Sequence, residues 1–329
     1  MKAFLTGASG FVGSHVLRAL EAGGHTVRCL VRPSSSRRSL EGTAAEIVEG
    51  DLRDSETLAR AVDGCSHVFH VAADYRLFVR RPQEMYASNV EGTRNVLKAA
   101  GRAGVERIVY TSTVGTLGPM PDDSAADETS RVTLADMVGH YKRSKFLAKG
   151  VAKELAAGGL PVVIVHPSAP VGEADWKPTA TGKIILDFLR RRLPAIVDTG
   201  LNLVDVRDVA AGHLLAAQGG RIGEEYILGH RNMTLREIVE TLGEITGLRA
   251  STLRLPHWIP MGVAAVDTAL ARVLPRDPWL ALEAVQLARH KMYFDPAKAV
   301  RELGLPQTPI EEPLRRAVEW YRAHGYVAR

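Results

Sequence analysis

Short runs of aliphatic and β-branched residues alternate along this chain with stretches in which apolar positions recur every three to four residues. The spacing predicts strands over Ala3–Thr6, Thr26–Val31, Glu46–Glu49 and His67–Val71, with helices from Phe11 and Ser55 between them. A long helix around Glu84–Ala103, a strand Arg107–Thr111, a helix around His140–Leu155 and a strand Pro161–Val165 continue the rhythm. Such alternation reads as βαβ units, so the expected class is α/β, a doubly wound parallel sheet with helices on both faces.

Past Pro167 the pattern loosens. Trp176–Pro178 interrupts it, a helix is predicted near Gly182–Arg192, and a βαβ-like return runs through Leu203–Val206, Asp208–Ala217 and Tyr226–Leu228. Apolar residues at helical spacing from Leu235, Trp258, Leu280, Ala297 and Leu314 then predict a smaller, mostly helical C-terminal lobe over the carboxyl edge of the sheet. The expected division is residues 1–168 plus about 201–229 for the sheet domain, and about 169–200 plus 230–329 for a substrate-binding lobe.

Composition narrows the classes. The 329 residues are 46% hydrophobic and 24% charged, as in ordinary globular proteins, and the net charge of +5 is too small to mark a nucleic-acid partner. Only Cys29 and Cys65 are present, too few for a disulfide framework or a cysteine-rich metal site, which fits a reducing cytoplasm and predicts no metal. The N-terminus lacks a secretory pattern. The least polar stretch, Trp258–Leu274, is broken by Asp267 and Arg272 and falls short of the ~20 apolar residues of a membrane span.

Chemistry begins at Gly7-Ala8-Ser9-Gly10-Phe11-Val12-Gly13, between the first strand and first helix. Glycines there permit a tight turn and let the backbone approach a pyrophosphate at the helix N-terminus, so the sheet is expected to be a Rossmann-type dinucleotide fold. Arg32 ends the second strand, where an acidic residue would accept the ribose hydroxyl of NAD and an arginine would pair with the 2′-phosphate of NADP. NADP(H) is therefore favoured, with NAD still open. Arg37 and Arg38 add charge in the following loop, Asp51 and Leu52 are placed to bound the adenine, and Val71, Ala72 and Ala73 leave room for the cofactor backbone.

Tyr141 and Lys145, four residues apart, share one face of a helix, so an ammonium can lie near a phenol and favour its ionised form. With eight tyrosines and ten lysines such a pair arises by chance in about one chain in four. Context adds Thr113, just past the fifth strand, whose hydroxyl can hydrogen-bond an oxygen that gains or loses charge. Gly7, Arg32, Asp51, Ala72, Thr113 and Pro167 all fall at carboxyl ends of different predicted strands, the edge where open α/β sheets bind ligands.

The glycine pattern, the Thr111–Thr113 hydroxyl run and Tyr141-x-x-x-Lys145 resemble the extended short-chain dehydrogenase/reductase superfamily over essentially the whole chain. Asn89-Val90-Glu91-Gly92-Thr93, Val204–Val209 and Lys298–Gly304 resemble its NAD-dependent epimerase/dehydratase branch. The strings His70–Arg76, His140–Phe146 and Asp198–Val204 are similar to hopanoid-associated sugar epimerases, and the basic Arg32 to dihydroflavonol-4-reductase-like enzymes. The resemblance implies that Tyr141 is the acid/base, that Lys145 binds ribose and tunes it, that Thr113 assists, and that Pro167 and Ser168 form the nicotinamide-side turn. It also implies a homodimer through the two long helices.

The leading expectation is an NAD(P)-dependent sugar epimerase acting on a sugar or lipid-linked substrate, with an NADPH-dependent ketone or aldehyde reductase as the alternative. A cofactor-sensing binding protein without turnover is the third reading, opposed by the presence of Thr113, Tyr141 and Lys145. A nucleotide-sugar substrate needs basic groups for its diphosphate, and Lys177, Lys183, Arg190–Arg192 and Arg207 are the candidates. Asp74, Tyr75, Thr113 and His166 are expected at the substrate mouth. Trp258, Ile259, Met261 and Val263 would line an apolar entrance.

Overall fold

The computed structural model describes residues 1–329 except Pro121, Thr252, Pro275, Ala328 and Arg329. Its first half comprises β1 (Lys2–Thr6), α1 (Phe11–Ala22), β2 (Thr26–Val31), β3 (Glu46–Glu49), α2 (Ser55–Val62), β4 (His67–His70), α3 (Pro82–Tyr86), α4 (Gly92–Arg102), β5 (Arg107–Thr111), α5 (Gly139–Ala157) and β6 (Val162–Pro167). There follow β7 (Ala169–Val171), α6 (Ala180–Leu189), β8 (Gly200–Asp205), α7 (Val206–Gly219), β9 (Glu225–Leu228), β10 (Arg231–Thr234) and α8 (Leu235–Thr246). The chain ends through α9 (Trp258–Val273), α10 (Leu282–Leu287), β11 (Lys291–Met292), α11 (Ala297–Leu303) and α12 (Glu311–Ala323).

Seven strands form a parallel sheet in the order β3-β2-β1-β4-β5-β6-β9. The order reverses at β1, which creates the crevice between β1 and β4 where such sheets take ligands. Both faces are buried, as the near-continuous apolar strands require. One face carries Leu5, Val31, Phe69, Val109, Val165 and Tyr226 against α1, α7 and α11. The opposite face carries Phe4, Val68, Ile108, Tyr110 and Ile164 against α2, α4 and α5.

The long helix expected over Glu84–Ala103 is interrupted by a π turn at Ala87–Glu91 between α3 and α4. The strand expected at Leu203–Val206 is β8, and it does not join the main sheet. It pairs with β7, β10 and β11 in a small second sheet packed by α6, α8 and α12. Asn202 fixes that sheet by donating to Asn232 Oδ1 at 2.8 Å and to the Phe294 carbonyl at 3.1 Å. Immediately after β8, α7 returns to the sheet domain and packs on α1.

A buried ionic group ties the edge strand β9 to α5. Glu225 lies 2.6 Å from Lys153 Nζ, 3.5 Å from Lys149 Nζ and 2.7 Å from His166 Nε2. Burial opposes the charge, but His166 and the two lysines hold the Glu225 carboxyl well below its ordinary range. Because the folded-state pKa is lowered, this stabilisation is complete above the unfolded value of about 4.5 and is lost as pH falls further. Glu225→Gln should cost about 1–3 kcal/mol near neutral pH by weakening the charge-assisted bonds to Lys149, Lys153 and His166, and its gap to the parent in denaturant melts should narrow on acidification from pH 5 to 3. A gap that persists unchanged would contradict this account.

Candidate active site

At the crevice the chain turns sharply at Gly7, with φ +83°, and a Cβ there would lie 2.6 Å from the Ala72 nitrogen. Only glycine combines that backbone with so close a neighbour. A Cβ at Gly13 would overlap the Gly7 carbonyl, so the third glycine sets how tightly α1 packs on the turn. Gly10 is the N-cap of α1 and supplies no side-chain cap, and no acidic residue occupies the first turn. The first amides of α1 are thus donors suited to a pyrophosphate.

The β4 end is held by a chain of hydrogen bonds. The Ala72 amide donates to Thr6 Oγ1 at 3.2 Å, which lies 2.7 Å from His70 Nδ1, and His70 Nε2 lies 3.0 Å from Thr93 Oγ1. Thr93 donates to the Asn89 carbonyl at 2.6 Å. Burial pushes His70 down to about 3, so its ring is neutral. With each hydroxyl giving one proton, His70 then accepts from Thr6 at Nδ1 and donates to Thr93 from Nε2.

Asn89, within the π turn, receives the Asp74 amide at 2.7 Å and donates to the Asp74 carbonyl and to Ser144 Oγ, each at 2.9 Å. Ser144 in turn donates to the Tyr141 carbonyl at 2.8 Å. One amide side chain therefore joins the loop after β4 to the helix of the Tyr–Lys pair. The motif containing Asn89 stands out in the sequence, but its partners do not.

Tyr141 is half-buried and faces Thr113 and Tyr75. Burial raises the phenol to about 12, against the hydrogen bond from Thr113. Lys145 is buried, donates to the Thr111 carbonyl at 2.7 Å and lies 4.8 Å from the Tyr110 ring centroid. Burial lowers it to about 7. Surrounded by protein groups alone, the pair does not form the phenol–ammonium contact that their spacing suggests.

Arg32 is exposed beyond β2 and close enough to Asp51 and Asp74 for its charge to lower both carboxyls. Asp51 is bound by Arg53 through two bonds of 2.8 and 2.9 Å, and Arg37 pairs with Glu49. Asp74 pairs with Arg76, and Tyr75 is 42% exposed. Leu52 packs against Gly92 and gives its carbonyl to Asn95. Pro167 ends β6, and the following Ser168 Oγ is buried without a hydrogen-bond partner among the described residues.

His166 requires a correction. Its position before Pro167 suggests the substrate mouth, but the ring is fully buried, with Nδ1 3.1 Å from the Thr113 carbonyl and Nε2 on Glu225. Both nitrogens are occupied, so His166 supports the Thr113 turn from behind. Thr113 itself caps the short 3₁₀ turn Val114–Thr116 by accepting from the Gly115 amide at 3.2 Å.

The glycine cradle, the uncapped start of α1 and the orphaned Ser168 hydroxyl fit a nicotinamide dinucleotide laid across the crevice, which would supply hydride transfer at Tyr141 and Thr113. The profile of the NAD dependent epimerase/dehydratase family matches residues 3–229, and the chain belongs to that family of enzymes. It is 47% identical to a Synechocystis protein named "Putative dihydroflavonol 4-reductase", over 98% of this chain and 95% of that one. It is 35% identical to sterol demethylase protein B of Methylococcus capsulatus, over 99% of this chain and all of the other. Among solved structures, a nucleoside-diphosphate-sugar epimerase from Pseudomonas aeruginosa superposes with TM-score 0.82 at 28% identity, covering 100% of this chain and 99% of that one. Among the described residues no helix is long and apolar enough to cross a membrane, and no group of three or more His, Cys, Asp or Glu is arranged to hold a metal.

Asn89→Ala would strand the Asp74 amide and carbonyl and remove one of the two partners of the Ser144 hydroxyl. It should lower stability by about 1–3 kcal/mol and weaken nucleotide binding, measured as a smaller rise in Tm on adding NADP. An unchanged nucleotide-induced shift would remove Asn89 from the positioning of the site.

Proposed function

We propose that the protein is an NADP(H)-dependent carbonyl reductase of the family, interconverting a ketone or aldehyde and its carbinol with net consumption of nicotinamide, on substrates with substantial apolar surface. Tyr141 gives or takes the carbinol proton, Thr113 hydrogen-bonds the same oxygen, and Lys145 binds the nicotinamide ribose. The cofactor contacts fall to Gly7, Ser9, Gly10, Phe11, Val12, Gly13, Arg32, Val71–Ala73, Pro167 and Ser168.

The observation that carries this reading is the engagement of Arg207, Arg316, Arg190 and Lys183 by oxygens of the chain itself, which leaves only the exposed Lys177, Arg191 and Arg192 of the candidate cations without such a partner among the described residues. Arg207 lies 2.7 Å from Glu173, Arg316 binds Glu173 at 2.9 Å and also Asp205, Arg190 donates to the Tyr326 carbonyl, and Lys183 donates to that of Trp279. A diphosphate cradle would have to break these pairs. Arg32, by contrast, is exposed at the end where NADP carries its extra phosphate.

The lobe next to the start of α5 adds apolar surface. Glu283 of α10 accepts from the His140 amide, which seats the α9–α10 pair beside the start of α5. Along α9 and just beyond it, Trp258, Val263, Val266, Leu270 and Trp279 are exposed, and a groove of about 700 Å³ lies among the last four. The names of the Synechocystis and Methylococcus relatives agree with ring-bearing substrates. The sugar-epimerase reading keeps in its favour the likeness to the Pseudomonas epimerase. A homodimer through α4 and α5 belongs to the same proposal and is checked by solution mass.

Freshly purified protein should release NADP(H), or no nucleotide, on denaturation, and should consume NADPH with cyclic and aromatic ketones. Tightly held NAD together with sugar-nucleotide epimerisation and no net redox change would sink the reductase reading. Arg32→Glu should raise KM for NADPH about 10–100-fold, the loss of one charge-assisted contact, while leaving kcat and the NADH rate little changed. Tyr141→Phe should lower kcat about 10²–10⁴-fold with NADP affinity intact. Retained turnover would exclude Tyr141 as the proton donor.

A further inference from the structure

Next to Tyr141 on α5, Lys142 is only 8% exposed. Its nearest polar atom within hydrogen-bond reach among the described residues is Met292 Sδ, at 3.9 Å. A thioether is a weak acceptor and cannot balance a buried ammonium. The neighbouring buried lysines are satisfied: Lys145 has the Thr111 carbonyl, and Lys149 has Glu225 and the Thr116 carbonyl. Lys142 alone of the three spends its charge on nothing the chain supplies.

The stem of Lys142 packs beside Thr113. A carbon built at Gly115 Cβ would lie 3.3 Å from Lys142 Cε and 3.5 Å from Thr113 Oγ1, so the side chain runs past the Gly115 backbone within a few ångströms of that hydroxyl. Met292, on β11, packs in a small apolar cluster with Val114, Leu117 and Phe294, where the Thr113 turn meets the C-terminal lobe. Lys142 therefore sits at the seam where the Thr113 turn meets β11 of the C-terminal lobe.

We infer that Lys142 is a substrate-recognition residue that receives an anionic oxygen, a carboxylate or a phosphate, carried a few bonds from the reacting carbinol. The assignment deepens the reductase reading and rests on it. The apolar seam strengthens the contact, since a charge pair shielded from water is worth more than an exposed one. Burial lowers Lys142 to about 8, and a bound anion would raise it again.

The test titrates NADP-loaded protein with 3-hydroxybutyrate, its methyl ester and inorganic phosphate by calorimetry. Wild type should bind 3-hydroxybutyrate at least about tenfold more tightly than the neutral ester, the gain of one charge-assisted hydrogen bond. Lys142→Met should lose that preference and Lys142→Arg should keep part of it. The wild-type preference should fade as pH rises through about 8, a readout that needs no variant to fold. Phosphate that competes as well as the carboxylate, and only while Lys142 is present, assigns a phosphate-bearing substrate; hydroxybutyrate binding without phosphate competition assigns a carboxylate. Equal affinity of wild type for acid and ester, or a Lys142→Met variant that melts normally and keeps the preference, overturns the inference. NADPH turnover with neutral ketones, measured in parallel, reports on the reductase reading separately.

Discussion

The close approach of Gly7 to Ala72 is the constraint on which the crevice depends. The β1 and β4 ends can converge there because the Gly7 Cα carries no side chain toward the Ala72 amide, which is committed to Thr6. From that contact the hydrogen-bonded series runs through His70, Thr93 and Asn89 to Ser144 and the carbonyl of Tyr141. The glycine turn after β1 and the helix α5 are thus parts of one buried polar network, and burial makes each member costly to leave unpaired. A neutral His70 suits this position because a single tautomer satisfies both hydroxyl neighbours.

Much of the sheet was legible because a fully buried parallel strand is a short apolar run bounded by polar or glycine residues. Thr26–Val31, Glu46–Glu49 and Arg107–Thr111 have the limits their sequence predicts. Periodicity identifies a strand without naming its partners, and β8 was assigned to the wrong sheet for that reason. The strands β7, β10 and β11, with sequences Ala-Pro-Val, Arg-Asn-Met-Thr and Lys-Met, lack the run of β-branched apolar residues that marks the equally short Glu46–Glu49. The break in the Glu84–Ala103 helix escaped notice because Asn89 keeps the helical spacing while its side chain is drawn into the Asp74 loop.

The site was legible as a set of strand ends and less so as a set of roles. Gly7, Ala72, Thr113 and Ser168 all lie at the edge that parallel pairing dictates. In β6, where every residue is buried, alternation no longer distinguishes a side chain aimed at ligand from one aimed at the protein. His166 turned out to be the second kind, because Glu225 on the adjacent strand waits for it. Lys142 was hidden by its type, since a lysine on a helix reads as solvated and its burial depends on β11, distant in sequence.

Electrostatics unify the two sides of the cleft. Burial chiefly drives Tyr141 up, and burial drives Lys145 and Lys142 down, so α5 holds three groups whose charged forms are all disfavoured by their surroundings. Each is therefore poised to respond to charge that arrives from outside the chain. Under the proposed function a cationic nicotinamide would favour the phenolate of Tyr141, and under the inference for Lys142 an anionic substrate oxygen would favour its ammonium. The arginines around Glu173 show the opposite arrangement, with their charges already balanced and little left for a ligand. A cleft built in this way would concentrate its response beside Tyr141 and Thr113, where a dry environment lets a single added charge shift proton affinity most.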